Sequence, residues 1–401
     1  MESVADSRWH EPADVPGRTR LRALWVSCMA HAMHDGYTDM IYVLLPVWQG
    51  EFGLSYGALA LLRGVYAGTM AVLQVPSGRL TRWLGRRATL ALGTLLAALG
   101  YGAAGLSGSL LGLCIALAIS GSGSSTQHPI ASTVVSRSFG RNARGPLGIY
   151  NFSGDLGKAA LPAAISLLVT MMPWRHALWI VSALGCLVAG LIVLFLPSVP
   201  DGESAAEHDS GVSQVGQAGR GFHMLLSIGI LDTAVRMGLL TFLPFLMRDK
   251  GASLPLVGAA LALVFMGGAA GKFVCGWLGA RVGVIGTVLA TEGGTALCII
   301  ALIFCPLTPA LVLLPLLGIM LNGTSSVLYG TVPELAPSGR TERAFAIFYT
   351  GTIGSGAISP VLYGFLGDRI GIDAATFATA LTALAIFPIA ILLGPRLIGR
   401  N

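Results

Sequence analysis

Long apolar stretches alternate with short polar segments along most of this chain, beginning near residue 21. A helix needs about 20 mainly apolar residues to cross the hydrocarbon core of a bilayer. Twelve stretches reach that length, so the pattern predicts an all-α integral membrane protein with twelve transmembrane helices. The predicted spans are 21–48, 56–80, 88–106, 110–136, 145–170, 174–197, 222–247, 254–280, 284–305, 309–333, 344–366 and 373–395.

The longest polar break falls between the sixth and seventh predicted spans. It is rich in Gly and Ser, contains Pro and acidic residues, and lacks apolar periodicity, which is typical of a flexible linker. The break separates two six-helix bundles. The predicted segments are a cytoplasmic N-terminal segment at 1–20, an N-terminal bundle at 21–197, a cytoplasmic linker at 198–221, a C-terminal bundle at 222–396 and a cytoplasmic tail at 397–401.

The two predicted bundles carry the same helix-breaking residues at a constant spacing along the chain. The recurring pairs are Pro46 and Pro244, Gly53 and Gly251, Ser55 and Ser253, Gly78 and Gly276, Gly85 and Gly283, and Pro162 and Pro360. Such a repeat predicts two pseudo-symmetric bundles related by an axis along the membrane normal. In folds of this kind the substrate binds between the bundles near the bilayer midplane, and rocking of the bundles gives alternating access.

Composition agrees with a membrane protein. Only 11% of the residues are charged, whereas a soluble domain carries about 25%. The net charge is +6, and the basic residues concentrate in predicted loops, which favours contact with anionic lipid headgroups over nucleic acid. The positive-inside rule places both termini in the cytoplasm, because the opposite side then holds only Arg175, Arg248, Lys250 and Arg369.

The first predicted span contains ionisable residues near its middle. A carboxylate at the centre of a bilayer costs at least about 2.5 kcal/mol, and this span contains both Asp35 and Asp39. Helical periodicity places His31, Asp35, Asp39 and Tyr42 on one face. We expect this face to line a cavity and to handle protons and substrate. The alternative is a buried structural network that pairs these groups with Arg63, which the spacing places at the depth of Asp39.

Further polar residues occur in the fourth and fifth predicted spans. Ser124, His128 and Ser132 share one helical face, as do Asn151, Asp155 and Lys158. Matching depths predict a cluster of His128, Asp155 and Lys158, which relays protons or binds substrate; fixed pairing within the bundle is the alternative. Histidine suits a relay because its ordinary pKa lies near physiological pH.

The second half has fewer candidates. Asp232 and Arg236 are four residues apart on one helix and can pair. Lys272 is expected to extend toward the cytoplasmic interface, and Glu292 is expected at the periphery. The predicted proton-coupling residues are Asp35, His31, Asp39, His128 and Asp155. The predicted substrate-binding residues are Arg63, Tyr42, Lys158, Asn151, Asp232, Arg236, Asn322 and Tyr329.

These features together resemble the major facilitator superfamily. The resemblance rests on the predicted spans, the central linker and the G-x6-G-R-R sequence after the second span. The motifs H-x-x-x-D-G, at His31–Gly36, and G-x-G-S-S-x-x-H-P, at Gly121–Pro129, are similar to the fosmidomycin-resistance branch of proton-coupled exporters. The resemblance implies a cytoplasmic gating loop. Its residues are Gly78, Arg82, Gly85, Arg86 and Arg87.

The gating loop departs from the superfamily pattern. Arg82 stands where the superfamily usually has Asp, and Ala280 takes the corresponding place in the second half. An intact G-x-x-x-D-R-x-G copy occurs at Gly364–Gly371, on the predicted outer side. Gating by the usual cytoplasmic ion pair is therefore not expected.

The sequence predicts a secondary transporter of the bacterial inner membrane rather than an enzyme. It has no nucleotide-binding loop, no H-E-x-x-H and no nucleophile elbow, and no cofactor is expected. We expect proton-coupled export, by antiport, of a small organic compound or drug, anionic compounds included, and hence drug resistance. The partners are a small-molecule substrate, protons and lipid, and the protein is expected to be a monomer.

Two other functions fit the same residues. One is proton-coupled uptake of an organic acid or a metal chelate. The other is transport of a divalent metal ion, whose ligands are then drawn from His31, His34, Asp35 and Asp39.

Overall fold

The computed structural model describes residues 16–197, 219–336 and 341–398. Within these ranges the chain forms α-helices and one short 3₁₀ helix at Gly140–Asn142, so the all-α prediction is confirmed. The predicted N-terminal segment, linker and tail lie largely outside the described residues. The helices are α1 (Gly17–Phe52), α2 (Tyr56–Ala104), α3 (Leu110–Ser124), α4 (Gln127–Phe139), α5 (Arg144–Met171), α6 (Trp174–Phe195), α7 (Arg220–Asp249), α8 (Leu254–Phe304), α9 (Leu307–Leu335), α10 (Thr341–Ile370) and α11 (Ile372–Ile398).

Two helices are much longer than a single span requires. α2 has 49 residues and α8 has 51. Each is interrupted by a glycine outside the helical region, Gly85 with φ 76° and Gly283 with φ 73°. A residue with a Cβ is strained at these angles, whereas glycine adopts them readily. Each of the two long helices is therefore two helical arms joined at a glycine.

Nine helices among the described residues are long and apolar enough to cross a membrane. α3 and α4 form one of them, because only Ser125 and Thr126 separate the two. α1 is not among the nine, although it has 36 residues. Its central histidines and aspartates lower its apolar character.

The repeat seen in the sequence is visible in the backbone. α2 begins at Tyr56 and α8 at Leu254, and the serine before each helix is its N-cap. Gly53 and Gly251, at the ends of α1 and α7, both have positive φ, as do the glycines that interrupt α2 and α8. The two halves of the chain therefore build corresponding helices and bends.

The two halves meet along two seams. Within the first half α1 packs on α5, and α2 packs on α3 and α6; within the second half α8 packs on α9, and α7 and α8 pack on α11. Between the halves α2 packs on α10, and α5 packs on α8.

Small residues allow the seams to close. A Cβ on Gly57 in α2 would lie 2.8 Å from the Phe365 ring, and a Cβ on Gly364 in α10 would lie 2.7 Å from the Tyr56 carbonyl oxygen. This close approach lies at the end of the bundle opposite Gly17, where α2 begins. The halves are therefore in tight contact on that side.

Glycines also bring α1 against α5 inside the first half. A Cβ on Gly157 would collide with the backbone of Ala32, and one on Gly36 would lie 2.7 Å from the Leu161 Cβ. A Cβ on Gly154 would lie 2.6 Å from the His31 ring. The missing side chains therefore make room for the polar face of α1 on α5.

Gly157→Ala should destabilise the protein, because the new methyl group forces α1 away from α5. Overpacking of this kind costs about 1–3 kcal/mol. We expect a lower thermal unfolding temperature for the purified variant in detergent. Gly148→Ala is the matched control, since it lies in the same helix and a Cβ there meets nothing within 4 Å. Equal unfolding temperatures for both variants would contradict the packing argument.

Candidate functional site

The polar face of α1 lies inside the protein. His31, His34, Asp35 and Asp39 are each between 4% and 6% exposed. Buried ionisable groups require partners, because their desolvation is otherwise costly. We therefore expect a counterion or a hydrogen bond beside each group on this face.

Three imidazole rings surround the Asp35 carboxylate. The His31 Nε2 lies 3.4 Å from Asp35 Oδ2, and the Nε2 atoms of His34 and His128 lie 3.8 Å and 3.9 Å from Asp35 Oδ1. The Nε2 atoms of His34 and His128 are 3.3 Å apart. α1 and α4 thus converge on one carboxylate, and we call these four residues the His–Asp cluster.

The tautomer of His31 follows from its other ring nitrogen. Nδ1 lies 2.8 Å from the carbonyl oxygen of Tyr150. A carbonyl only accepts, so Nδ1 carries the hydrogen. In the neutral ring Nε2 then carries a lone pair, which faces Asp35. This Nε2 atom has no hydrogen-bond partner in the described structure. A proton between His31 and Asp35 would satisfy both groups.

A line of alternating charges extends from the His–Asp cluster across the molecule. Lys158 Nζ in α5 lies 3.3 Å from Asp35 Oδ2 and 3.9 Å from Asp155 Oδ1. Asp155 in turn accepts from Lys272 Nζ in α8, at 2.6 Å and 2.8 Å. The expected proximity of Asp155 and Lys158 is therefore present. Lys272 does not extend away toward the interface as expected, because Asp155 of the other half binds it.

Arg63 does not form the ion pair with Asp39 that the structural alternative required. Neither residue is within 4 Å of an opposite charge among the described ion pairs. Arg63 Nε instead donates to the Tyr42 hydroxyl at 3.2 Å, and its guanidinium lies 5.3 Å and 5.8 Å from the ring centres of Tyr42 and Tyr66. Its Nη1 has no hydrogen-bond partner in the described structure. Similar depth along two helices did not imply contact.

The second half contains its own buried charges. Arg236 Nη2 lies 3.7 Å from Asp232 Oδ2, as the spacing predicts, and its Nε has no partner in the described structure. Glu292 was expected at the periphery, and this is wrong. Its residue exposure is 2%, so Glu292 lies inside the second half.

Three predicted substrate residues have no described contact with the His–Asp cluster. Asn151 is exposed on α5. Asn322 donates to the Gly318 carbonyl of its own helix at 3.2 Å. The Tyr329 ring stacks on Tyr349 with ring centres 4.8 Å apart. None of these contacts joins the residue to the His–Asp cluster.

The predicted gating loop forms the bend of α2. Gly85 supplies the positive φ, and Thr89 donates to the Gly85 carbonyl at 2.8 Å just beyond it. Arg82 and Arg87 are exposed, and Arg86 is half-buried. Gly78 has open space around it. The structure thus places these residues together at and just before the bend between the two arms of α2.

The Asp of the intact motif copy closes the opposite end of the molecule. Asp368 in α10 accepts from the backbone N–H groups of Tyr56 and Gly57 at 2.7 Å and 2.9 Å. These are the first two amides of α2, and a carboxylate is favourable at a helix N-terminus. Because α2 and α10 belong to different halves, Asp368 holds the halves together at this end.

A metal ion would find some ligands in the His–Asp cluster. One ligand atom each from His31, Asp35 and His128 lies within 4.8 Å of the others. Asp39 is not part of that group. Lys158 brings a positive charge to the Asp35 carboxylate, which opposes a second cation there. The donor set therefore suits a proton better than a metal ion.

Comparison with known proteins identifies the family. The family profile described as "Major Facilitator Superfamily" matches residues 27–223 and 225–398. The chain belongs to the major facilitator superfamily. It is therefore a multi-pass membrane transporter of small molecules and not an enzyme.

Curated relatives within the superfamily are distant and differ in substrate. Monocarboxylate transporter 11 of Homo sapiens is 28% identical over 77% of this chain and 68% of its own length. The probable sulfoacetate transporter SauU of Cupriavidus necator is 25% identical, over 88% and 89%. The fosmidomycin resistance protein of Escherichia coli is 22% identical, over 89% of each chain.

Solved structures agree on the major facilitator fold. A bacterial homologue of the human lysosomal transporter Spinster, in an inward-facing and occupied conformation, superposes with a TM-score of 0.80 and 16% identity, covering 96% of this chain and 99% of that one. The nucleoside transporter NupG superposes with a TM-score of 0.75 and 12% identity, covering 95% and 99%. At this identity the likeness shows the fold alone.

Asp368→Asn should loosen the α2–α10 contact, because the amide lacks the charge that the α2 N-terminus favours. The interaction is worth about 1 kcal/mol, so the ratio of open to closed molecules at this end should rise about fivefold. Spin labels on cysteines at Gly50 and Arg248, in a protein without its native cysteines, report the separation. Asp373→Asn, exposed in the first turn of α11, is the control. Identical distance distributions in all three proteins would refute the role of Asp368.

Proposed function

We propose that this protein is a proton-coupled secondary transporter of the bacterial inner membrane that exports a small organic acid or an acidic drug by alternating access. Arg63 supports the acidic substrate most directly. It is 4% exposed, and its Nη1 has no hydrogen-bond partner in the described structure. A buried guanidinium with an unused donor is costly. An acidic group on the substrate would supply the missing acceptor.

The location of Arg63 fits a substrate site between the two halves. Its partner Tyr42 also donates to the Met237 sulfur of α7 at 3.5 Å, so both halves meet here. Arg236, with its own unpartnered Nε, lies on α7 next to Met237. Arg63 and Arg236 thus lie in opposite halves, each with an unpartnered donor, and we assign both to the substrate site.

The names of the relatives are consistent with an acidic substrate. The curated relatives include transporters named for sulfoacetate, for monocarboxylates and for sialic acid, the last being NanX of Escherichia coli. The fosmidomycin resistance protein is the relative whose name favours export. These names concern those proteins and support the substrate class by analogy.

The topology of the proposed transporter has twelve spans. The bends at Gly85 and Gly283 divide α2 and α8 into two spans each, and α1 adds one to the apolar helices. The bundles then correspond to 21–197 and 222–396, and loop charge places both termini in the cytoplasm. In this topology the end closed by Asp368 is the outer side.

Proton coupling is assigned to the His–Asp cluster and its contact with Lys158. An ionised Asp35 holds Lys158 at 3.3 Å. A proton on Asp35 removes that attraction and frees the ammonium group. The freed ammonium group can then bind an acidic group of the substrate, because ionised Asp35 and the substrate compete for Lys158. This contact by itself favours movement of proton and substrate together; the proposed export by antiport is supported by the name of the fosmidomycin resistance relative.

Uptake by symport is the second candidate, because the acid-named relatives do not fix a direction. The two are separated by proteoliposomes loaded with sulfoacetate or fosmidomycin and exposed to a pH gradient of each sign. Export by antiport predicts substrate movement against the proton flow. Symport predicts movement with the proton flow.

Asp35→Asn should abolish proton-driven transport while exchange of substrate across the membrane continues. The amide cannot carry the coupling proton, but the substrate donors remain. In proteoliposomes, a trapped pH dye should show at least about a tenfold loss of substrate-driven proton movement, and counterflow of labelled substrate should persist. Asp249→Asn, at the exposed end of α7, is the control. Unchanged proton movement in Asp35→Asn would remove this residue from the mechanism.

A further inference from the structure

The Asp155 carboxylate binds an ammonium group from each half of the molecule. Lys272 of α8 donates to both of its oxygens, at 2.6 Å and 2.8 Å. Lys158 of α5 lies 3.9 Å from Oδ1. Lys272 is held by Asp155 alone among its described ion pairs, whereas Lys158 also has Asp35.

The exposure of the three side chains is unequal. The Asp155 side chain is 10% exposed, whereas the side chains of Lys158 and Lys272 are 32% and 43% exposed. The Asp155 carboxylate is therefore largely buried, whereas part of each lysine side chain is exposed. A ligand group that approaches the pair meets Lys272 before it meets Asp155.

The α5–α8 seam is held by close backbone packing at one point and by a charged side chain at another. Near the start of α8, a Cβ on Gly258 would lie 2.6 Å from the Ser166 Cβ and 3.0 Å from the Pro162 carbonyl oxygen. Farther along α8, Lys272 reaches across to Asp155. A change of partner at Lys272 therefore leaves the packing around Gly258 in place.

We infer that Lys272 is a binding position for an acidic group of the transported compound, and that Asp155 occupies this position when the compound is absent. The inference rests on the proposed function, because it assumes that the transported compound is acidic. It adds a residue of the second half to the site and gives Asp155 the role of an internal competitor.

A ligand anion adds one negative charge to this line of groups, but it leaves each lysine and each aspartate beside an opposite charge. When a ligand carboxylate, sulfonate or phosphonate takes the place of Asp155 at Lys272, Asp155 retains Lys158 as its counterion at i, i+3 spacing. No lysine or aspartate is left without an opposite charge nearby, which avoids the large cost of an unpaired charge. The direct link between the halves is replaced by a link through the ligand.

A purely structural ion pair predicts the opposite result for one substitution. If Asp155 competes with the ligand, Asp155→Asn should bind small acids more tightly than the wild-type protein. If Asp155 only stabilises the seam, the same change should weaken binding or leave it unaltered. The sign of the change therefore decides between the two roles.

Purified protein in detergent is titrated with acetate, methanesulfonate and methylphosphonate, and with acetamide as the uncharged reference, by calorimetry. Asp155→Asn should bind at least one acid about tenfold more tightly than the wild-type protein, a change of about 1.4 kcal/mol, because the carboxylate that competes for Lys272 is gone. Lys272→Gln should weaken binding of the same acid, and Asp155→Asn combined with Lys272→Gln should show none of the gain. Asp249→Asn is the charge-matched control.

Asp155→Ser serves in place of Asp155→Asn if the latter does not purify as a monodisperse protein. The inference is overturned if neither variant binds any of the three acids more tightly than the wild-type protein, or if the gain persists in the double variant. These measurements need no proton gradient. A transport assay that shows no proton coupling would therefore overturn the proposed antiport and leave the binding result unaffected. A failed binding experiment would likewise leave the proposed antiport unaffected.

Discussion

The structure depends on the pairing of charges inside the membrane. A carboxylate there must find a cation or a proton, and a cation must find an acceptor. Four charged groups form one line in which each pairs with the next: Asp35, Lys158, Asp155 and Lys272. Because each group serves two neighbours or lies at an end of the line, a proton or an acidic ligand added at one point changes the pairing at the next. The need for every buried charge to have a partner therefore also makes the pairing sensitive to a proton or a ligand.

Glycine makes this pairing possible. Charged side chains meet only where helices approach closely, and Gly154 and Gly157 let α5 lie directly on the polar face of α1. At the end of the molecule where α2 begins, Gly57 and Gly364 let α2 and α10 approach closely, so that the Asp368 carboxylate of α10 reaches the first amides of α2. In a bilayer, helix association relies on close packing and polar contacts rather than on burial of apolar area. The close approach at the glycines is thus what allows the charged groups on neighbouring helices to pair.

The sequence was sufficient for the elements and their repetition. Apolar length located the helices, and Gly85 and Gly283 could be recognised as breaks because they recur at the same place in both halves. Family motifs pointed to His31, Asp35 and His128, which the structure brings together. These signals are local in the chain or repeat at a fixed spacing, so one sequence is enough to read them.

The contacts between helices were less predictable. Arg63 and Asp39 have similar depths, yet Arg63 turns to the rings and hydroxyl of Tyr42 and Tyr66. Lys272 was misplaced because its partner Asp155 lies on a helix of the other half, and Glu292 because only the packing of the neighbouring helices buries it. Depth along a helix follows from residue number. The direction in which a side chain points, and which helix it faces, depends on how all the other helices pack.

The unequal distribution of charge between the halves bears on the mechanism. The repeat aligns Asp35 with Thr233, Arg63 with Leu261, and Asp155 with Ile353, so the first half alone holds the His–Asp cluster. The second half instead buries Asp232 with Glu292 and Arg236. Two halves with equal backbones and different charges can rock symmetrically while only one of them carries the coupling proton. Binding of a substrate to donors from both halves would then depend on whether Asp35 of the first half is protonated. Lys272 of the second half makes this link, because it pairs with Asp155 of the first.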